Sequence, residues 1–135
     1  MKVQHVPIEW VNRTWNMVEG YLQAALEHAK GDYTIDQVKS YLAQGNWTLV
    51  VASDDENKVH GAAAINFFNR PNDRVAFIVA IGGKLITNQD TFKQLKQYLI
   101  AMGATALEGA SRESAARLWM RYGLTEKYRI VGVKL

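Results

Sequence analysis

Few side chains in this sequence can do covalent or proton-transfer chemistry, and their spacing narrows the choice. There is no cysteine, which removes thiolate nucleophiles, thiolate metal ligands and disulfides. His5, His28 and His60 lack metal-ligand spacing with carboxylates. Ser111 and Ser114 have no nearby histidine for a nucleophilic arrangement. Asp54-Asp55-Glu56 does not have the spacing of a calcium loop and reads as a solvated turn. For proton transfer there remain His60, which opens a strand, and Glu108, which closes one. The most patterned stretch is Arg112-Glu-Ser-Ala-Ala-Arg-Leu-Trp-Met-Arg-Tyr-Gly-Leu124. At its centre stands Trp119, whose indole N–H donates a hydrogen bond but does not titrate in a useful range.

These residues must be positioned by elements that the apolar pattern announces. Val3 to Ile8 reads as a first strand. Val11, Trp15, Val18, Leu22, Leu26 and Ala29 form one helical stripe, stopped near Gly31. Thr34 with Gln37 is a capping-box pair that opens a second helix closed by Gly45. Trp47 to Ala52, Val59 to Phe68 and Val75 to Ile81 read as a meander of three antiparallel strands joined by polar turns. The last of the three is apolar throughout, as a strand buried on both faces would be. Gly82 to Asp90 reads as a loop, with Asp90 as a helix cap. Phe92, Leu95, Tyr98, Leu99 and Met102 mark a third helix stopped at Gly103. Ala104 to Glu108 is a short strand. Ser111 caps the helix that carries the patterned stretch, and Tyr128 to Leu135 is a last, weakly alternating strand. The order is β-α-α-β-β-β-α-β-α-β, an α+β architecture with a mostly antiparallel sheet flanked by helices.

The 135 residues suit a single domain, 1–135, large enough to need no disulfide or metal staple. No apolar run approaches the ~18 residues that cross a bilayer. The N-terminus lacks the apolar core of a signal peptide, so the expected compartment is the cytoplasm. The formal charge is +3. Its densest basic group, Arg112, Arg117, Arg121, Lys127 and Arg129, reads as a solvated face, with a phosphate or nucleic-acid contact as the alternative. No nucleic-acid module signature is present.

The element order, together with the spacing of Arg112, Ala115, Leu118, Trp119, Gly123 and Leu124, resembles the GNAT acyltransferases. Their late helix reads Asn-x-x-Ala-x-x-Leu-Tyr-x-x-x-Gly-Phe. The chain is also similar to small GNAT-like proteins of tailed phages. The resemblance implies a central strand splayed from its neighbour. Acetyl-CoA would lie against Val79, Ala80 and Ile81, with Gly82, Gly83 and Lys84 beside its phosphates. It implies transfer of the acetyl group to an amine, with Glu108 as base and Tyr122 or water as acid. Two departures stand out. Trp119 occupies the place of the family's tyrosine acid. No Arg/Gln-x-x-Gly-x-Gly/Ala loop precedes the third helix, where amides and a helix dipole would otherwise receive the pyrophosphate. Those departures suit an alternative role without catalysis, as an accessory or virion-associated protein that acts through protein contacts.

Overall fold

The computed structural model describes residues 1–28, 31–111 and 113–135. Five strands form one sheet: β1 (Lys2–Val6), β2 (Thr48–Ser53), β3 (Val59–Asn69), β4 (Arg74–Gly83) and β5 (Ala106–Gly109), in spatial order β1-β2-β3-β4-β5. The first three pairings are antiparallel, and β4 with β5 is parallel. Helices α1 (Val11–Leu26) and α2 (Ile35–Ala43) lie on one face. Helices α3 (Lys84–Thr87), α4 (Gln89–Ala101) and α5 (Glu113–Arg121) lie on the other. This is the expected α+β architecture of a mixed, mostly antiparallel sheet.

Strand alternation builds the two cores. Leu49, Val51, Ala62 and Ala64 join Val18, Leu22, Val38 and Leu42 under α1 and α2. Val50, Ala52, Ala63 and Ile65 point the other way, to Leu85, Phe92, Leu95 and Leu99. A period of two thus loads both faces of the same strands. Fully burying one such side chain contributes about 1.5–3 kcal/mol. The stripe on α1 is buried from Val11 to Leu26, while its expected continuation to Ala29 lies outside the described residues. The capping box at Thr34 and Gln37 is present. Trp10 and Trp15, five apart, diverge as their spacing requires: Trp15 is buried and Trp10 half exposed, with the Arg13 guanidinium over its ring.

Three expectations about elements need correction. The stretch from Gly82 to Asp90 is not a plain loop, because β4 runs to Gly83 and α3 follows directly. Asn88, not Asp90, caps α4: its side chain accepts from the Thr91 amide at 3.1 Å. The last strand does not form. Residues 124–135 have no regular structure, and Ile130, Val131, Val133 and Leu135 are more than four-fifths exposed. The neighbouring Ile130 and Val131 would place apolar side chains on both faces of a strand, and the edge available to it is only the short β5.

A candidate acyl-thioester fork

The candidate site begins with one extra residue in β4. Opposite β3, Ala64 pairs with Ala80 but Ile65 pairs with Ile78, so Val79 has no counterpart. A bulge of this kind bends a strand and changes which way its side chains point. The change is visible in the two cores. Ala76 and Ile78 face the α3–α4 side, Val79 and Ala80 both face the α1–α2 side, and Ile81 faces α3–α4 again. At the same position the pairing with β5 stops: Ile78 with Gly109 is the last matched pair. Beyond it Val79, Ala80, Ile81, Gly82 and Gly83 have no strand beside them on the β5 side among the described residues. The opening where β5 ends and this edge of β4 stands free is termed the fork, with Ile78–Gly109 as its vertex.

Trp119 of α5 packs at that vertex. Its ring lies where a side chain on Gly109 would go, and a Cβ there would come within 2.5 Å of both Cη2 and Cζ3. The indole is 5% exposed. Its Nε1–H is buried and meets no acceptor among the described residues. A donor left unpaired in a dry place costs about 1–3 kcal/mol.

Of the expected cofactor residues, Val79 to Gly83 stand in a row along the open edge of β4, and Lys84 starts α3 as an exposed side chain. The glycines have a local reason to be glycines. A Cβ on Gly82 would meet the Tyr21 carbonyl oxygen at 2.7 Å, and one on Gly83 would meet the His60 carbonyl oxygen at 2.3 Å. Gly83 also has φ of 65°, which side-chain-bearing residues rarely adopt. They let α1 close on the end of the sheet, where the Tyr21 hydroxyl donates to the Val59 carbonyl at 3.1 Å.

Two helix N-termini lie near the end of β4. The first amides of α3, Lys84 N and Leu85 N, lie 2.8 and 2.7 Å from where a Cβ on Gly61 would sit, so β3 backs them. α4 carries the Asn88 cap and Asp90 in its first turn, whose carboxylate accepts from Gln94 Nε2 at 2.9 Å. The Thr91 hydroxyl, buried, donates to the carbonyls of Lys84 and Asn88.

The expected catalytic residues are not brought together as a base and an acid. Glu108 sits one residue before the vertex with its side chain 14% exposed, bound by Arg70 Nη1 and by Lys127 Nζ at 2.6 Å. The Arg70 hydrogen bond, with help from Lys127, holds its carboxyl below the usual range against the opposing effect of burial. A carboxylate so stabilised is a poor proton acceptor at neutral pH. Tyr122 stacks on Phe92 at 4.7 Å between ring centres, in the core under α4. His60 binds Asp54 at 2.7 Å. Asp54 also accepts from the Glu56 and Lys58 amides, so this pair closes the β2–β3 turn. The His60 backbone adjoins Gly83, at the far end of β4 from the vertex. Sequence reasoning missed Arg70, Gly109 and the bulge. Arg70 and Glu108 are 38 positions apart, and a bulge leaves no mark in an all-apolar run.

By sequence, no protein-family model and no curated protein matches this chain. Solved structures match it in shape. A probable acetyltransferase aligns with a TM-score of 0.71 over 100% of this chain and 97% of its own, at 13% identity. The fold is that of the GNAT acetyltransferases. A ribosomal-protein-alanine N-acetyltransferase from Brucella melitensis biovar Abortus 2308 aligns over 100% of both chains, with a TM-score of 0.68 and 11% identity. A predicted acetyltransferase with acetyl-CoA, from Clostridium acetobutylicum, gives 0.66 and 10% over 98% and 95%. At these identities the GNAT likeness is one of fold. The open β4 edge offers backbone hydrogen-bonding groups. The capped α4 start, with its carboxylate, does not fit a pyrophosphate. In the α5 motif, Gly123 adopts a left-handed φ of 96° and the Leu124 amide donates to the Trp119 carbonyl, which closes the helix. Arg112 lies outside the described residues.

Proposed function

We propose that this chain binds an acyl thioester in the fork between β4 and β5 and transfers the acyl group to an amine, with acetyl-CoA as the expected donor. The observation that carries the reading is the Val79 bulge at the very position where β4 parts from β5, in a chain that aligns over its full length with acetyltransferases. A thioester supplies an acyl carbon to which the amine nitrogen bonds as the carbon–sulfur bond breaks and sulfur leaves as thiolate. The chain's part is to hold and orient. The backbone of Val79, Ala80 and Ile81 offers hydrogen-bonding groups along the open edge, and Trp119 keeps the vertex dry. Glu108, held ionised by Arg70 and Lys127, takes no proton, and Tyr122 gives none. The ammonium proton goes to solvent and the thiolate is protonated from it. Turnover should therefore rise with pH until the acceptor amine is neutral.

The test is calorimetric titration with acetyl-CoA, followed by thiol release in the presence of small primary amines and amine-bearing peptides. Binding with thiol release that depends on the amine supports the reading. Folded protein that neither binds acetyl-CoA nor releases thiol removes it. The second reading, a contact protein that has lost catalysis and serves as an accessory or virion-associated subunit, is favoured by Trp119 at the tyrosine position and by the engaged Glu108. It predicts no amine-dependent thiol release at any pH.

A further inference from the structure

We infer that the acyl acceptor is an amine that also carries a carboxylate, an α-amino acid with an apolar side chain, held by Arg70, Glu108 and Lys127. This deepens the acyltransferase reading above and rests on it. Strand alternation sets the facing of the residues concerned. Ala76, Ile78 and Leu107 turn to the α3–α4 side, so the matched pair Phe77 and Glu108 turns to the α1–α2 side, one position before the vertex. Ile65 and Phe67 likewise turn to α3–α4, which leaves Phe68 on the α1–α2 side. Val79, just past the vertex, faces that side as well. Phe68, Phe77 and Glu108 nevertheless belong to neither core. The two phenylalanines are half-buried, with ring centres 6.3 Å apart. They make an aromatic floor beside the vertex.

The charges around this floor are unevenly satisfied. Arg70 Nη1 and Lys127 Nζ both donate to one carboxylate oxygen, Glu108 Oε2. Glu108 Oε1 has no hydrogen-bond partner among the described residues. The other side-chain donors of Arg70 and Lys127 meet no acceptor among those residues either, and the Arg70 guanidinium lies over the Phe68 ring at 5.1 Å. The Asp73 carboxylate, at the other end of the Arg70 turn, accepts from the Thr105 hydroxyl at 3.0 Å. Two cations on one carboxylate leave a surplus of positive charge. An acceptor with a second ammonium is repelled by that surplus. A carboxylate is drawn to it, and a guanidinium with free donors binds carboxylates through charge-assisted hydrogen bonds. Oε1 then accepts an N–H of the same molecule, and Phe68 and Phe77 take its apolar side chain. Glu108 accepts a hydrogen bond here and no proton. The neutral amine keeps its lone pair for the acyl carbon. The nitrogen–carbon bond forms as the carbon–sulfur bond breaks, sulfur leaves as thiolate, and the amine's proton passes to solvent.

The experiment measures thiol release from acetyl-CoA by the intact chain with phenylalanine, phenylalanine amide and phenethylamine as acceptors. Rates are referred to the concentration of neutral amine, because the acceptors differ in basicity. The expected result is a kcat/KM for phenylalanine about tenfold or more above either of the others, the worth of one hydrogen bond between charged groups. The preference should shrink as salt rises. Hydrocinnamate, the same carboxylate without the amine, should compete with phenylalanine. Lys127→Gln, a change at an exposed side chain, should cut the preference about threefold or more, through KM and not kcat. Equal kcat/KM for the acceptors, or a preference for phenethylamine, would overturn the inference and leave the acyltransferase reading standing. Release with other primary amines but with none of these has the same meaning. A preference that Lys127→Gln leaves unchanged overturns the assignment of the site. Thiol release with no amine at all overturns the inference together with the reading on which it rests.

Discussion

At the scale of single residues, Glu108 and Gly109 decide what the vertex can do. Glu108 has its carboxyl lowered from an ordinary 4.5 by the Arg70 hydrogen bond and then by Lys127. A depressed carboxyl stabilises the fold above its unfolded pKa, and that contribution disappears as pH falls through the lower folded value. Stability followed by urea denaturation should thus be flat above about pH 5 as far as this group is concerned and decline below about pH 4. Glu108→Gln should flatten that decline, cost about 1–3 kcal/mol at pH 7, and leave any turnover near its wild-type pH profile. A lost basic limb in the variant would restore Glu108 as the base. Gly109→Ala drives a Cβ to within 2.5 Å of a packed indole ring. It should cost about 1–3 kcal/mol and shift tryptophan emission. An alanine variant as stable as the parent, with unchanged emission, would mean that the ring does not rest there. Tyr122→Phe keeps the stack on Phe92 and should not change turnover.

The bulge in β4 and the start of α4 belong to the scale of elements. Val79 changes the facing of everything after it, so Val79, Ala80 and Ile81 are arranged by register and not by side-chain type. Deleting Val79 should make Ile78 and Ala80 adjacent opposite Ile65 and Ala64, removing the bulge while keeping the facing of Ala80 to Gly83. A folded deletion protein with intact thioester binding would contradict the fork. Asn88→Ala removes the side-chain acceptor for the Thr91 amide and should cost about 1 kcal/mol, measured by chemical denaturation. If phosphates do approach this helix, the same change should raise the affinity for acetyl-CoA over that for acetyl-pantetheine.

For the molecule as a whole, one sheet carries two cores, and the chain after Leu124 belongs to neither. Tyr128, Ile130, Val131, Val133 and Leu135 are all exposed, and the segment is tied to the sheet through Lys127 and Glu108. Truncation after Lys127 should change stability by less than about 0.5 kcal/mol. A larger loss would show that the segment pairs in solution, with the free edge of β5 in its own chain or in a second copy. Among the described residues no helix is long and apolar enough to cross a membrane.

Most elements were legible because their signals are local. The α1 stripe, the Thr34–Gln37 box, the turn at Asp54 to Lys58 and the Gly123 stop each depend on residues within a turn or two of one another. The same locality misled at three places. Asn88 outcompeted Asp90 for the α4 start, a short α3 formed inside an expected loop, and β propensity in Tyr128 to Leu135 found no edge on which to act. Val79 to Gly83 close the central strand, as a buried apolar run before two glycines announces. The sequence by itself determined the two periodicities, and hence a sheet with helices on both faces and a tryptophan at the tyrosine position. Only the tertiary structure decided that Arg70 reaches Glu108, that Trp119 fills the space Gly109 leaves, and that β4 and β5 part at the bulge. Those contacts join residues of different elements, and they depend on register and packing, which no neighbouring residue encodes.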